Sequence, residues 1–174
     1  MTIIQIGNKI LRKISEGISA NKITTAETRE LIAKMSGALR KEPQGVGLAA
    51  PQIGVLKSVF IVSGYAFKPS ALVQKENDEE LKKRKAKETY SVFINPKIIK
   101  TSKKKSLLSE GCLSVAGKFG KVRRSTNVTI EAYDENGKKF RRGAGGLLAQ
   151  VIQHETDHLN GVLFVDKAVN MDKI

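Results

Sequence analysis

Between Leu147 and Leu159 the chain runs without a helix breaker, entered after Gly143, Gly145 and Gly146 and left through Asn160-Gly161. Such punctuation marks the two ends of a helix. The run contains His154-Glu155-Thr156-Asp157-His158. Residues four apart on a helix lie about 40° apart around its axis and one turn above each other, so both imidazoles can reach one ion. Glu155 projects from the same turn, beside a water at that ion rather than at the ion itself. This HExxH spacing is the metal-hydrolase arrangement in which the glutamate is the general base. Five-residue matches arise by chance, and a histidine on a helix is usually an ordinary structural residue. The chain has only two histidines, however, and both fall in the pattern.

A catalytic ion of this kind takes three protein ligands and leaves a position for water. The extended pattern HExxHxxGxxH fails here, since Gly161 matches its glycine but Phe164 stands at the third histidine. A downstream glutamate is also excluded, because none follows Glu155. Asp166 and Asp172 remain with nothing to recommend them, which leaves the only cysteine, Cys112, in Glu110-Gly111-Cys112-Leu113-Ser114. Free cysteines are usually small buried hydrophobes. A nucleophilic cysteine would need its own histidine, and both are committed. Given a two-histidine site short of a ligand, the thiolate reading is preferred.

A third segment, Gly45-Val46-Gly47-Leu48-Ala49-Ala50-Pro51-Gln52-Ile53-Gly54, is too rich in glycine for an ordinary helix and lacks the Lys-Ser/Thr of a phosphate loop. It reads either as a turn between helix and strand or as backbone that approaches an extended ligand, with Gln52 offering a neutral amide donor.

The rest of the chain supplies the frame. Thr24 and Glu27 have capping-box spacing, and Leu31, Ile32, Met35 and Leu39 recur at helical intervals, which predicts a helix over 26–39. Val59-Phe60-Ile61-Val62 reads as a buried strand, and strands are expected at 91–94, 98–100 and 127–133, the last followed by the hairpin signal Asp134-Glu135-Asn136-Gly137. The stretch from Lys68 to Glu88 is crowded with Lys, Glu and Asp. It reads as a solvated insertion, with a helical turn near 79–87, inside one catalytic domain spanning 1–174. Strands followed by a late helix give an α+β class, with antiparallel β-sheets around a late central helix that carries HExxH.

A length of 174 residues suits a single domain that needs no disulfide, and a single cysteine could form none within the chain. No run approaches the roughly 20 apolar residues of a membrane span, and no leader-like segment opens the sequence, so a soluble cytoplasmic protein with no membrane partner is expected. The net charge of +14 favours polyanions, the ribosome surface among them. Lysines serving solubility are the preferred explanation, and the aromatic content of 5% offers no stacking platform, so no DNA partner is expected.

Taken in order, GVGLAAPQIG, EGCLS and QHETDHLNG at 45–54, 110–114 and 153–161 resemble the peptide deformylase family. Its members remove the formyl group from the N-terminal formyl-methionine of nascent polypeptides. The resemblance implies Cys112, His154 and His158 as metal ligands and Glu155 as acid/base. Gln52 and the N–H of Leu113 would stabilise the oxyanion. Val46, Gly47 and Gly111 would hold the peptide extended, and Leu147 and Val151 would line the methionine pocket. The implied cofactor is one divalent ion, iron(II) in the family's usual form, with nickel, cobalt or zinc substituting. The chain departs from the family pattern in Gly7-Asn8-Lys9-Ile10, where prolines are common, in Ala116, where proline is common, and in the charged insertion. A long basic C-terminal helix, which some relatives use to dock on the ribosome, is not expected here.

Overall fold

The computed structural model describes residues 2–68 and 77–173. Helix α1 spans Ala26–Arg40. Five strands, β1 (Gly47–Ala49), β2 (Val59–Ser63), β3 (Tyr90–Thr101), β6 (Asn127–Tyr133) and β7 (Lys139–Gly145), form one antiparallel sheet in the order β1-β2-β3-β6-β7. Strands β4 (Lys105–Cys112), β5 (Val115–Ser125) and β8 (Ala168–Lys173) form a second antiparallel sheet, ordered β4-β5-β8. Between the two charged ends of the insertion lies α2 (Asp78–Ala86), and α3 (Gly146–Leu159) follows β7 directly. Among the described residues no helix is long and apolar enough to cross a membrane.

The larger sheet is covered on both faces, which explains the unbroken apolar run of β2. Side chains alternate across a strand. Phe60 and Val62 accordingly join Phe93, Ile130, Ala149, Val151 and Ile152 beneath α3. Val59 and Ile61 turn the other way, to Met35, Leu39, Leu48 and Ile94 beneath α1. The late helix is therefore buried in the middle of the molecule, as its apolar residues and α+β order predicted. Its stop is sharp: Gly161 takes φ +71, and a Cβ there would lie 2.5 Å from the Arg12 carbonyl oxygen. Only glycine meets both conditions.

The structure departs from the sequence reading in four places. No Thr24–Glu27 capping box forms; Thr25 is the N-cap residue, and its hydroxyl donates instead to the Lys22 carbonyl (2.8 Å). The two short strands expected at 91–94 and 98–100 are one bulged strand, β3, with register shifts on its β6 side. At the bend Asn95 has φ 49, and its amide exchanges two hydrogen bonds with the Ile18 backbone (2.8 and 2.7 Å). The Lys-rich hairpin β4–β5 was not anticipated. The helical turn near 79–87 is a helix capped on both counts by Asn77 and Glu80. The part of the insertion at 69–76 lies outside the described residues.

Strand β4, strand β5 and α3 are fastened by ions as well as by apolar contact. Arg124 grips Glu110 with two nitrogens (2.7 and 2.9 Å) and Asp157 with a third (2.6 Å), and Lys167 holds the other Asp157 oxygen (2.6 Å). Arg124 and Glu110 are almost wholly buried. Removing one partner from a buried pair strands the other charge, at about 3–5 kcal/mol. Arg124→Met is thus expected to lower unfolding free energy by about that amount in urea denaturation; a loss below roughly 1 kcal/mol, the range of exposed pairs, would contradict this account.

Candidate active site

Helix α3 presents His154, Glu155 and His158 toward the last residue of β4, Cys112. Cys112 Sγ lies 3.2 Å from His158 Nε2, which lies 3.2 Å from His154 Nε2. The three donor atoms all fall within 4.8 Å of one another. Atoms that share one ion through bonds of roughly 2.0–2.3 Å stand about 3–4 Å apart, so the set fits a single divalent ion.

The neighbours of these donors orient them. Glu110 accepts from His154 Nδ1–H at 2.9 Å. Burial opposes charge on Glu110, but Arg124 and His154 outweigh it and bring the carboxyl down to about 2. An ionised carboxylate can only accept, so His154 keeps a proton on Nδ1 and, as a metal ligand, would turn its Nε2 lone pair toward the other two donors. His158 is fully buried, and burial together with His154 pushes it well below its ordinary value, which favours the neutral imidazole that binds metal. His154 goes the other way: burial opposes its charge, but the hydrogen bonds it donates to Cys112 and Glu110 hold it well above its ordinary value, and an ion at Nε2 would take the place of the second proton.

Glu155 lies behind the donors, only 4% exposed, and its Oε2 has no hydrogen-bond partner among the described residues. Burial lifts its carboxyl to about 7, against the pull of His154. Gly47 makes room for it, since a Cβ at that position would stand 2.5 Å from Glu155 Oε1 and 2.8 Å from Val151 Cγ1.

Gln52 sits in a short 3₁₀ turn, Ala50–Ile53, after β1. Its Oε1 accepts from Ala49 N–H (2.8 Å), which fixes the amide so that Nε2 faces Ser114 Oγ (3.2 Å) and Cys112 Sγ (3.6 Å). The segment following Cys112 is pinned from behind by the chain's start: Gln5 Nε2 donates to the Leu113 carbonyl (2.9 Å) and Ile6 N–H to that of Ser114 (2.7 Å).

These groups open onto a cleft of about 460 Å³ between β1, at the edge of one sheet, and β4, at the edge of the other. Val46, Gly47, Gln52, Gly111, Cys112, Leu113, Leu147, Val151, His154 and Glu155 all line it, so ten of the residues singled out in the sequence meet in one place; His158 is enclosed beneath them. Asp166 lies elsewhere, paired with Arg12. Sequence reasoning missed Gln150, Phe119 and Glu42, which also line the cleft. Gln150 stands one turn before His154, so helical spacing could have found it. Phe119 faces Gly111 across β4–β5, a pairing that no local pattern reveals.

Comparison with known proteins agrees with this geometry. The family model of polypeptide deformylase matches residues 1–173. A peptide deformylase of Flavobacterium psychrophilum is 42% identical over 167 residues, 96% of this chain and 81% of that protein. Among solved structures, a peptide deformylase from Synechococcus elongatus in complex with actinonin is 35% identical, with a TM-score of 0.78, and the match covers 98% of this chain and 79% of that one. A class I type b peptide deformylase from Acinetobacter baumannii, bound to Met-Ala-Ser, is 30% identical with a TM-score of 0.78 and coverage of 96% and 97%. Agreement along nearly the full length, with a Cys-His-His metal site of the kind these enzymes carry, means that the chain belongs to the peptide deformylase family of metal-dependent hydrolases.

Proposed function

We propose that the chain, acting as one catalytic domain, hydrolyses the formyl amide of formyl-methionyl peptides with Cys112, His154 and His158 holding one divalent ion. The observation that carries this reading is the meeting of one thiol and two imidazole nitrogens within 4.8 Å, beside a buried carboxyl lifted to about 7. A thiolate with two imidazoles suits iron, cobalt, nickel or zinc rather than magnesium or calcium, and iron(II) is the ion we propose. When bound, the ion supplies the Lewis acidity that makes water a nucleophile near neutral pH.

Glu155 takes a proton from the attacking water, and a carboxyl near 7 is matched to that task. Oxygen then bonds to the formyl carbon while the carbonyl electrons move onto oxygen. Gln52 Nε2, aimed by the Ala49 N–H, and the Leu113 N–H meet the developing oxyanion. The C–N bond breaks as Glu155 returns its proton to the departing amine, which leaves formate and a free N-terminus.

The peptide lies extended between the two sheet edges, against backbone groups of Val46, Gly47 and Gly111. Leu147 and Val151, on the helix face toward the cleft, receive the methionine side chain. The related A. baumannii enzyme with Met-Ala-Ser bound supports a ligand that begins with methionine. Cytoplasmic residence completes the proposal; the charge of +14 serves solubility first, with the ribosome surface as a weaker, secondary partner.

Glu155→Gln keeps the three ligands but removes the proton carrier. Metal content should stay at one ion per chain while kcat for a formyl-Met peptide falls about 10²–10⁴-fold; near-normal turnover would sink the assignment. Chelation of the ion should abolish formate release, and adding back iron(II), nickel or cobalt should restore it, with metal analysis run alongside. In Gly47→Ala the new methyl would press on Glu155 and Val151. Formate release should drop at least about tenfold in a folded protein, the cost of a misplaced reacting group, and wild-type rates would show that the close approach is not needed.

A further inference from the structure

The charged insertion contains a buried ion network that the deformylation chemistry does not use. Lys85 on α2 is 7% exposed and Glu88, just beyond the helix, 8%. Glu88 accepts from Arg84 (2.8 Å), from the Tyr90 hydroxyl (2.9 Å) and from the Ser63 hydroxyl, and Lys85 Nζ lies 3.0 Å from its Oε2. Glu88 thus joins Arg84 and Lys85 of α2 to Ser63 at the end of β2 and Tyr90 at the start of β3. Lys85 then reaches out of this network and donates to the carbonyl of Gly45 at 2.7 Å.

Gly45 begins the segment that forms one wall of the cleft. A trans peptide is planar, and its C=O and N–H point in opposite directions. Fixing the Gly45 carbonyl on Lys85 therefore fixes the Val46 N–H pointing away from α2. The next peptide is fixed too, because the Val46 carbonyl accepts from Ser63 N–H at 2.9 Å. Ser63 in turn donates its hydroxyl to Glu88, so one carboxylate organises both anchors. An ammonium takes more desolvation cost than a neutral donor, and burial does pull the Lys85 pKa down while Glu88 opposes the shift. Propping up an idle loop would not need a buried charge, and a carbonyl that must keep its direction benefits from a charge-assisted donor.

We propose that Lys85 is a positioning residue that clamps the Gly45 carbonyl and thereby aims the Val46 N–H at the backbone of the bound peptide. This rests on the reading of the cleft as a site for extended peptides. The clamp acts on peptide backbone, of which a longer extended ligand lays more between the two sheet edges, whereas the methionine side chain sits against Leu147 and Val151. Its loss should therefore weaken longer ligands more than short ones.

The test compares metal-loaded wild type, Lys85→Met and the surface control Lys82→Met by calorimetric titration with Met-Ala-Ser and with methionine amide. Lys85→Met keeps the aliphatic stem but not the charge or the donor. The expected result is a Kd for Met-Ala-Ser raised about tenfold, a Kd for methionine amide changed less than twofold, unchanged metal content, and a Lys82→Met variant that behaves as wild type. Steady-state kinetics with formyl-Met-Ala-Ser should show the loss in KM, with kcat kept within about twofold. Equal weakening of both ligands, or a Met-Ala-Ser Kd within twofold of wild type, would overturn the clamp. Should Lys85→Met fail to fold, Lys85→Met/Glu88→Gln removes both buried charges and is held to the same outcomes. Formate release by wild type is scored separately: its absence would fail the deformylase reading, while the binding comparison still decides the clamp.

Discussion

The carboxylate of Glu110 is the point on which the site depends. Arg124 holds both of its oxygens and His154 Nδ1–H donates to one of them, so a single buried group joins β4, β5 and α3. Burying such charges is expensive, and a well-packed apolar trio could hold the same elements with equal or greater stability. What an apolar trio could not do is fix the direction of an imidazole. Ionised Glu110 holds a His154 proton on Nδ1, which reserves Nε2 for the metal ion. Asp157, inside the HExxH run, continues the network through Arg124 to Lys167. The x positions of the motif are thus not filler: one of them anchors the helix that carries the ligands.

Two of the three site motifs were legible because their chemistry is carried by rare residues, whereas GVGLAAPQIG, with no histidine or cysteine, read equally as a plain turn. Two histidines and one cysteine leave few ways to build a three-ligand site, and the fold brings them within 4.8 Å. The buried central helix was legible from its unbroken apolar run between glycines. The hairpin β4–β5 was not, because its burial alternates on a lysine-rich surface, and what it packs is decided by partners distant in sequence. Phe119 pairs with Gly111 across that hairpin and Arg124 reaches Glu110 as a buried ion pair, and no local pattern marks either. The expected capping box failed for a related reason. Thr25, one residue later, already starts the helix, and its hydroxyl has a nearer carbonyl to bond.

The insertion shows how composition can mislead. Lys, Glu and Asp in bulk signal a solvated segment, and most of α2 is indeed exposed. Yet Lys85 and Glu88 are buried and satisfied by each other, by Tyr90 and by the Gly45 carbonyl. Charge patterning reports the face that meets water; it cannot say which one or two charges turn inward. Here those inward charges reach the backbone of the first motif, so a segment that looked peripheral bears on the cleft wall.

The proposed chemistry rests on an ion held by Cys112, His154 and His158. X-ray absorption spectroscopy on the metal-loaded protein, repeated on Cys112→Ser, tests it most directly. One sulfur and two imidazole nitrogens around the ion in the wild type, with the sulfur contribution gone in the variant, is the predicted result. An ion with no sulfur neighbour in the wild type, or an unchanged spectrum in Cys112→Ser, would contradict it.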